Sequence, residues 1–143
     1  VYTTTNLDGN KDSKWGFPGE APDLVSICLG TNDLCNGDGI KERKSFDSEK
    51  FTSNYIDFVK GIFERYPPTK LALLSSPMVS GENSKMLMNC LQTIKTHFEN
   101  DHTVVIFEFS PMQPKECGDH PDLKDHEVMA KELIPFYAEL LQK

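Results

Sequence analysis

Short apolar runs along the chain alternate with longer stretches in which apolar residues recur every three or four positions. The runs cover residues 23–29, 70–74 and 103–107, and polar residues, proline or glycine flank each of them. Consecutive apolar positions over four to eight residues are typical of parallel strands that are covered on both faces. The pattern therefore predicts three buried strands.

The stretches that follow the runs have helical periodicity. In the first, apolar residues at i, i+4, i+7, i+8, i+11, i+12 and i+15 predict an amphipathic helix. Asp47 or Ser48 is expected to cap its start, and the prolines at 67 and 68 to end it. A second helix is predicted from about residue 83 to 100, and a third from about 123 to 141, with Pro135 expected to kink it. The first stripe consists of Phe51, Tyr55, Phe58, Val59, Ile62, Phe63 and Tyr66.

A strand–helix order repeated three times predicts an α/β fold, with one parallel sheet between two layers of helices. Residues 23–143 are expected to form one βαβαβα unit, preceded by an irregular polar lead-in over residues 1–22. Because the first run is so apolar, we expect further strands upstream of it. An open edge there predicts association with an upstream segment of the parent chain, or self-association. Ligands of such sheets bind at the carboxyl ends of the strands, here residues 30–36, 75–82 and 110–121.

Composition narrows the possible partners. The 143 residues carry a net charge of -7, and the short basic stretch at 41–44 is interrupted by an acidic residue. Such a surface repels nucleic acid and anionic membranes, and no apolar run approaches the length of a membrane span. The four cysteines lack the spacing of a zinc or redox motif, so no metal or cofactor is predicted. One hypothesis pairs Cys90 with Cys117.

Two loops carry candidate chemistry. Gly30-Thr31-Asn32-Asp33 follows the first strand, where Gly30 permits a tight turn and the neutral Asn32 amide can donate to an oxyanion. Gly118-Asp119-His120-Pro121 precedes the last helix, where His120 is placed as a general base. Taken singly, the Gly30–Asp33 loop is explained as an ordinary turn, and His120 is explained as an exposed histidine before a helix. Together they lie on separate loops at the same end of one sheet.

This pair resembles the third block (Gly-x-Asn-Asp) and the fifth block (His-Pro) of SGNH/GDSL hydrolases. Two further segments are similar to carbohydrate esterase family 2. One is the His-Pro-x(4)-His-x-x-Met-Ala-x-Glu-Leu sequence that starts at His120. The other is the Pro-Asp-Leu-Val sequence from Pro22, which leads into the Gly-x-Asn-Asp block. The resemblance covers most of residues 15–141. It implies an SGNH hydrolase, flavodoxin-like fold, of which this chain is the C-terminal part.

The resemblance also implies a function. The implied function is that of a serine esterase that deacetylates xylan-type carbohydrate without a cofactor. Asn32 and Gly30 would stabilise the oxyanion, and His120 would act as the base. Such an enzyme would be secreted or periplasmic. Trp15 and Asp33 are candidate substrate-binding residues, although packing and turn formation explain them equally well.

The chain departs from the family pattern at two points. It has no Gly-Asp-Ser block, so the nucleophile is expected upstream, and we interpret Ser26, Ser75 and Ser76 as structural. The family's acid lies two or three positions before the histidine, where this chain has glycine and cysteine. Asp119 is adjacent to His120, so a Ser-His dyad is the alternative to a triad.

Two competing functions follow. One is a non-catalytic carbohydrate-binding or interaction module on a degenerate esterase fold. The other is a receiver or nucleotide binder, which would need an acidic pocket or glycine-rich phosphate loop that the sequence lacks.

Overall fold

A computed structural model describes residues 16, 19–35, 44–112 and 120–142. The predicted alternation of strands and helices is confirmed, with one additional short helix. Within these residues no helix is both long enough and apolar enough to cross a membrane. The elements are β1 (Leu24–Ile27), α1 (Thr31–Leu34), α2 (Ser48–Arg65), β2 (Lys70–Leu74), α3 (Gly81–Phe98), β3 (Val104–Phe107) and α4 (Leu123–Gln142).

The three strands form one parallel sheet in the order β1-β2-β3. Leu71 stands at its centre, aligned with Val25 on one side and Val104 on the other. The central strand β2 is the strand that is covered on both faces, because its last four residues are buried. The prediction that the first strand is buried on both faces is wrong: β1 spans four residues, and Ser26 is exposed.

One face of the sheet is covered by α2 and α3. The predicted cap of α2 is confirmed at Asp47, whose carboxylate accepts from the Lys50 backbone N–H at 3.0 Å. The stripe predicted for α2 faces the sheet, and α3 brings its own stripe against the same strands. The core of this face includes Ile27, Val59, Ile62, Leu71, Leu73, Leu87, Leu91, Ile94 and Val104.

The other face is covered by α4. Its buried cluster consists of Ala72 and Leu74 from β2 together with Phe109 and Leu140. The exposed Ser26 hydroxyl is paired with the α4 Tyr137 hydroxyl at 2.7 Å, so a polar contact replaces an apolar one at the edge of this layer. With helices on both faces, the predicted three-layer α/β/α architecture is confirmed.

The turn after β1 differs from the prediction of a plain loop, because Thr31–Leu34 forms one helical turn. Two features explain it. Gly30 adopts φ 115°, a conformation that side-chain-bearing residues rarely take, and this redirects the chain directly after the strand. Leu34 then inserts into the core, where it is 6% exposed.

Candidate active site

The turn that carries Asn32 is fixed by packing at both of its ends. A Cβ atom on Gly30 would come within 2.6 Å of Leu87 Cδ1, so the backbone here lies directly against the core. The Leu34 N–H donates to the Gly30 carbonyl at 3.1 Å and closes the turn. Asn32 lies between them, exposed, at the carboxyl end of β1. Asn32 therefore lies where ligands of such sheets bind.

Polar contacts connect this turn to the next loop along the sheet. The Thr31 hydroxyl lies 2.7 Å from the Ser76 hydroxyl, and the Cys28 thiol lies 3.4 Å from the Ser75 carbonyl oxygen. Ser75 and Ser76 are almost fully buried, at 2% and 3% exposed. Their burial and hydrogen bonds support the structural interpretation of both serines.

Ser75 also holds the third loop. Its hydroxyl accepts from the buried Phe109 N–H at 2.9 Å. The Met112 N–H donates to the carbonyl of Pro77, the residue directly after the serine pair, at 2.8 Å. The loops after β1, β2 and β3 are therefore joined at the carboxyl edge of the sheet, as a shared site requires.

His120 is exposed and lies three residues before α4. The direction of α4 indicates which edge of the sheet the start of this helix faces. Near the far end of the helix, the Leu140 carbonyl accepts from Lys70 Nζ at 2.7 Å, at the start of β2. Earlier in the helix, Glu132 Oε2 accepts from the Ser110 N–H at 3.5 Å, just beyond β3, so α4 begins toward the carboxyl ends of the strands.

Asp122 anchors the helix that His120 precedes. Its Oδ1 accepts from the backbone N–H groups of Lys124 at 2.7 Å and Asp125 at 2.8 Å. The Asp122 N–H in turn donates to Asp125 Oδ2 at 3.1 Å. These backbone hydrogen bonds, the one from Asp125 first, lower the pKa of the Asp122 carboxyl, and the nearby Lys124 and His126 lower it further.

A cavity of about 400 Å³ lies beside the Asn32 turn. Asp33 and Leu29 line it from the turn, so the predicted substrate-binding Asp33 does border an open site. Tyr55 also lines it, and its buried hydroxyl has no hydrogen-bond partner among the described residues. Burial raises the pKa of this phenol, and the field of Cys28 raises it further, so the hydroxyl stays protonated. The remaining aromatic lining consists of Phe46, Phe51 and Phe58.

Several predicted features lie outside the described residues, namely Trp15, Gly118, Asp119 and Cys117. In the described part of the chain no three His, Cys, Asp or Glu side chains group in a way that could hold a metal ion. The Cys90–Cys117 bridge is not formed, because Cys90 is a free, buried thiol in the middle of α3 that faces the Ser48 carbonyl at 4.0 Å.

The roles of three residues at this edge were not predicted from the sequence. Thr31 joins the Asn32 turn to Ser76, and Asn83 Nδ2 donates to the Leu34 carbonyl of that turn at 3.1 Å. Asp122 caps α4. Only Asp122 had a usable signal, since an aspartate followed three residues later by another acid is a capping pattern.

The chain was compared with protein families and with known proteins. The model of the GDSL-like lipase/acylhydrolase family matches residues 3–133. An acetylxylan esterase/glucomannan deacetylase from Cellvibrio japonicus is 24% identical over 135 residues, which cover 94% of this chain and 35% of that protein. The chain thus spans about a third of the length of this relative.

Solved structures share the fold. A carbohydrate esterase family 2 enzyme with a carbohydrate-binding domain, from Corynascus thermopiles (Myceliophthora fergusii), aligns with a TM-score of 0.82 at 24% identity, over 100% of this chain and 44% of the other. A family two carbohydrate esterase from Clostridium thermocellum, solved with cellohexaose, aligns with a TM-score of 0.69 at 20% identity, over 85% of this chain and 37% of the other. The arrangement of strands and helices is therefore that of the SGNH hydrolase fold.

Proposed function

Because this chain belongs to the GDSL-like lipase/acylhydrolase family, we propose that it supplies the oxyanion donor and the general base of an esterase that removes acetyl groups from polysaccharide. The observation that carries the proposal is the Asn32 turn, which holds an exposed asparagine on a packed backbone at the carboxyl edge of the sheet. His120 is exposed three residues before α4, and α4 begins toward the same edge, which supports its role as the base. Preorganised donors and a base within reach are what acyl transfer requires.

The first half of the proposed reaction acylates a serine that lies upstream of this chain, in a Gly-Asp-Ser block. The serine Oγ attacks the acetyl carbonyl while His120 accepts the hydroxyl proton. The carbonyl oxygen becomes an oxyanion, and Asn32 Nδ2 donates to it together with backbone N–H groups, including that of Gly30 or its upstream counterpart. The bond to the sugar oxygen then breaks, and His120 protonates that oxygen as it leaves.

In the second half, water attacks the acetyl-serine, and His120 accepts a proton from it. Collapse of this second oxyanion releases acetate and returns the proton to the serine. No metal or organic cofactor enters these steps. Asp119 is the candidate to orient His120; if it does not, a backbone carbonyl holds the imidazole and the enzyme works as a Ser-His dyad.

The cavity beside Asn32 supports carbohydrate as the substrate class. It combines aromatic surface from Phe46 and Phe51 with the polar groups of Asp33 and Asn54. Sugar rings present apolar C–H faces and a rim of hydroxyls, so a site for them needs both kinds of surface. The relative from Cellvibrio japonicus is named for acetylxylan and glucomannan. Such polysaccharides lie outside cells, so we place the enzyme in the secreted or periplasmic compartment.

We further propose that residues 1–143 form the C-terminal part of one hydrolase domain, with residues 23–143 as its βαβαβα unit. Among the described residues, β1 pairs with β2 alone. Its other edge is the expected docking position for the upstream segment that carries the serine, and in its absence for a second copy of the chain.

The test uses a longer protein that includes the upstream serine block, assayed on acetylated xylan. Asn32→Ala should lower kcat by about 10²–10³-fold, the effect of losing one oxyanion donor. His120→Ala should lower kcat by at least the same factor. His126 is an exposed histidine within α4, and His126→Ala should leave kcat unchanged. The isolated 143-residue chain should hydrolyse acetyl esters no faster than its own His120→Ala variant.

The alternative is a carbohydrate-binding module that does not hydrolyse esters. A longer protein that binds acetylated xylan but releases no acetate would establish that alternative. Full activity in Asn32→Ala or His120→Ala would remove the corresponding residue from the site.

A further inference from the structure

The Asn32 turn is too short to maintain its own conformation. It is a single helical turn, Thr31–Leu34, closed by the Leu34 N–H donating to the Gly30 carbonyl. Isolated turns of this length are unstable, because fixing the first turn costs several dihedral angles for one hydrogen bond. Its geometry must therefore come from the parts of the protein that surround it.

Two side-chain hydrogen bonds hold the turn, one at each end. At its first residue, the Thr31 hydroxyl donates to Ser76 Oγ at 2.7 Å. At its last residue, the Leu34 carbonyl accepts from Asn83 Nδ2 at 3.1 Å. Asn32 lies between these two points. Both partners come from the same connection, the segment that runs from the end of β2 into the first turn of α3.

Ser76 is itself fixed, so it can serve as an anchor. It is 3% exposed, and its Oγ also accepts from the Met78 backbone N–H at 3.2 Å. That bond holds the serine rotamer within its own loop. Asn83 is held by its place in α3, which packs into the larger core through Leu87 and Leu91. Neither anchor can follow the turn if the turn moves.

We infer that Ser76 and Asn83, acting through Thr31 and Leu34, are positioning residues for the Asn32 amide. This inference rests on the proposed esterase function and deepens it. Oxyanion stabilisation depends on a donor that is already in place before charge develops, and a displacement of about 1 Å can cost 10²-fold in rate. Losing either hydrogen bond should therefore lower kcat and leave KM unchanged, since the oxyanion forms only in the transition state.

The main test compares Thr31→Val with Thr31→Ser in the longer protein that contains the upstream serine. Valine has nearly the shape of threonine but no hydroxyl, whereas serine keeps the hydroxyl. We expect Thr31→Val to lower kcat roughly 3–10-fold, the range for one neutral hydrogen bond, and Thr31→Ser to retain most of the activity. Asn83→Ala should behave like Thr31→Val, and Asn89→Ala, on the exposed surface of the same helix, should not.

A double-mutant cycle separates positioning from general stability. If Thr31 acts through Asn32, then Thr31→Val should have no further effect on kcat in an Asn32→Ala background. A purely structural contribution would lower the rate in both backgrounds. If Asn32→Ala lost its esterase activity while Thr31→Val and Asn83→Ala kept theirs, this inference would be overturned and the proposed function would remain intact. Unchanged activity in Asn32→Ala would overturn both.

A second measurement does not depend on catalysis. In the same longer protein, hydrogen exchange of the Leu34 amide reports whether the turn is closed. Thr31→Val and Asn83→Ala should each accelerate that exchange, while amides in the middle of α3 stay as protected as in the unaltered chain. Unchanged exchange at Leu34 in both variants would show that the two bonds do not hold the turn, and would overturn the inference.

Discussion

On one face of the sheet, two long helices bury a continuous core, and residues such as Leu91 and Ile94 are completely inaccessible to solvent. On the other face, α4 is the only covering helix within the described residues, and Leu140 is its one buried residue there. Large apolar side chains of α4 remain in solvent instead, with Leu123 84% exposed and Ile134 65% exposed. The same sheet thus has a well-packed face and a thinly covered one.

The two halves of the candidate site depend on different faces. The Asn32 turn is built on the well-packed face, since Gly30 lies against Leu87 and Leu34 is buried in that core. His120 precedes the helix of the thinly covered face, whose start is held by the Asp122 cap. The proposed oxyanion side is therefore positioned by core packing together with the Thr31 and Asn83 hydrogen bonds, whereas the helix start on the proposed base side is held by polar contacts.

The largest expected difference between the faces concerns core truncation. Leu91→Ala should destabilise the protein by about 2–5 kcal/mol, because it removes a fully buried side chain from a core that cannot collapse around the gap. Leu140→Ala should cost clearly less, since Leu140 is 8% exposed and lies in a much smaller cluster. Urea unfolding of both variants gives the two free energies. Equal losses would mean that α4 is packed as tightly as α3.

Glycine substitution tests how closely the Asn32 turn depends on the well-packed face. Gly30→Ala should destabilise by about 1–3 kcal/mol, because alanine strains the backbone at φ 115° and its Cβ also meets Leu87. Gly81→Ala is the matched control: φ is 61° there, and nothing lies within 4 Å of the added Cβ. Gly81→Ala should therefore lower the free energy of unfolding by less than Gly30→Ala does, by roughly 1–2 kcal/mol.

Thermal or urea unfolding measures both glycine variants. In the longer protein, Gly30→Ala should also lower kcat, since the turn it distorts carries Asn32. A Gly30→Ala variant no less stable than Gly81→Ala would show that the turn is not constrained by the core beneath it.

The well-packed face was largely predictable from sequence, and the reason is periodicity. The stripe from Phe51 to Tyr66 identified α2 because every member of a buried helical face must recur at 3.6-residue spacing. The apolar run at 70–74 identified β2 in the same way, since a central strand is covered on both faces. Asp47 was recognisable as a cap because capping requires a specific side chain just before the first turn.

The positions of Thr31, Ser76 and Asn83 were not predictable. Their hydrogen bonds join residues 45 and 49 positions apart in the chain, and no local pattern encodes such a distance. α1 was missed because its conformation comes from Gly30 and the burial of Leu34, not from a repeated stripe. β1 was predicted too long and too buried, because the apolar sequence does not reveal that Ser26 would face Tyr137.

The smallest expected effect concerns pH and the thinly covered face. Backbone hydrogen bonds lower the pKa of Asp122 in the folded protein relative to the unfolded chain. Its contribution to stability is therefore present at neutral pH and disappears as the pH falls through the folded-state pKa. Asp122→Asn keeps an oxygen that can cap α4 but removes the titrating group. This variant should be less stable than the unaltered protein at neutral pH, and the difference should shrink on acidification.

Unfolding free energies measured across the acid range provide the check, with Asp57→Asn as the control. Asp57 is an exposed carboxylate on α2, 3.5 Å from Lys60. The Asp57→Asn substitution therefore removes one charge from the well-packed face without changing a helix cap. We expect the pH dependence of stability to flatten in Asp122→Asn and to stay close to normal in Asp57→Asn. Hydrogen exchange in the first turn of α4 should accelerate at acid pH in the unaltered protein before exchange in α3 does. If both helices opened together, the cap at Asp122 would not be what holds the start of α4, and the contrast between the two faces would have to rest on core packing alone.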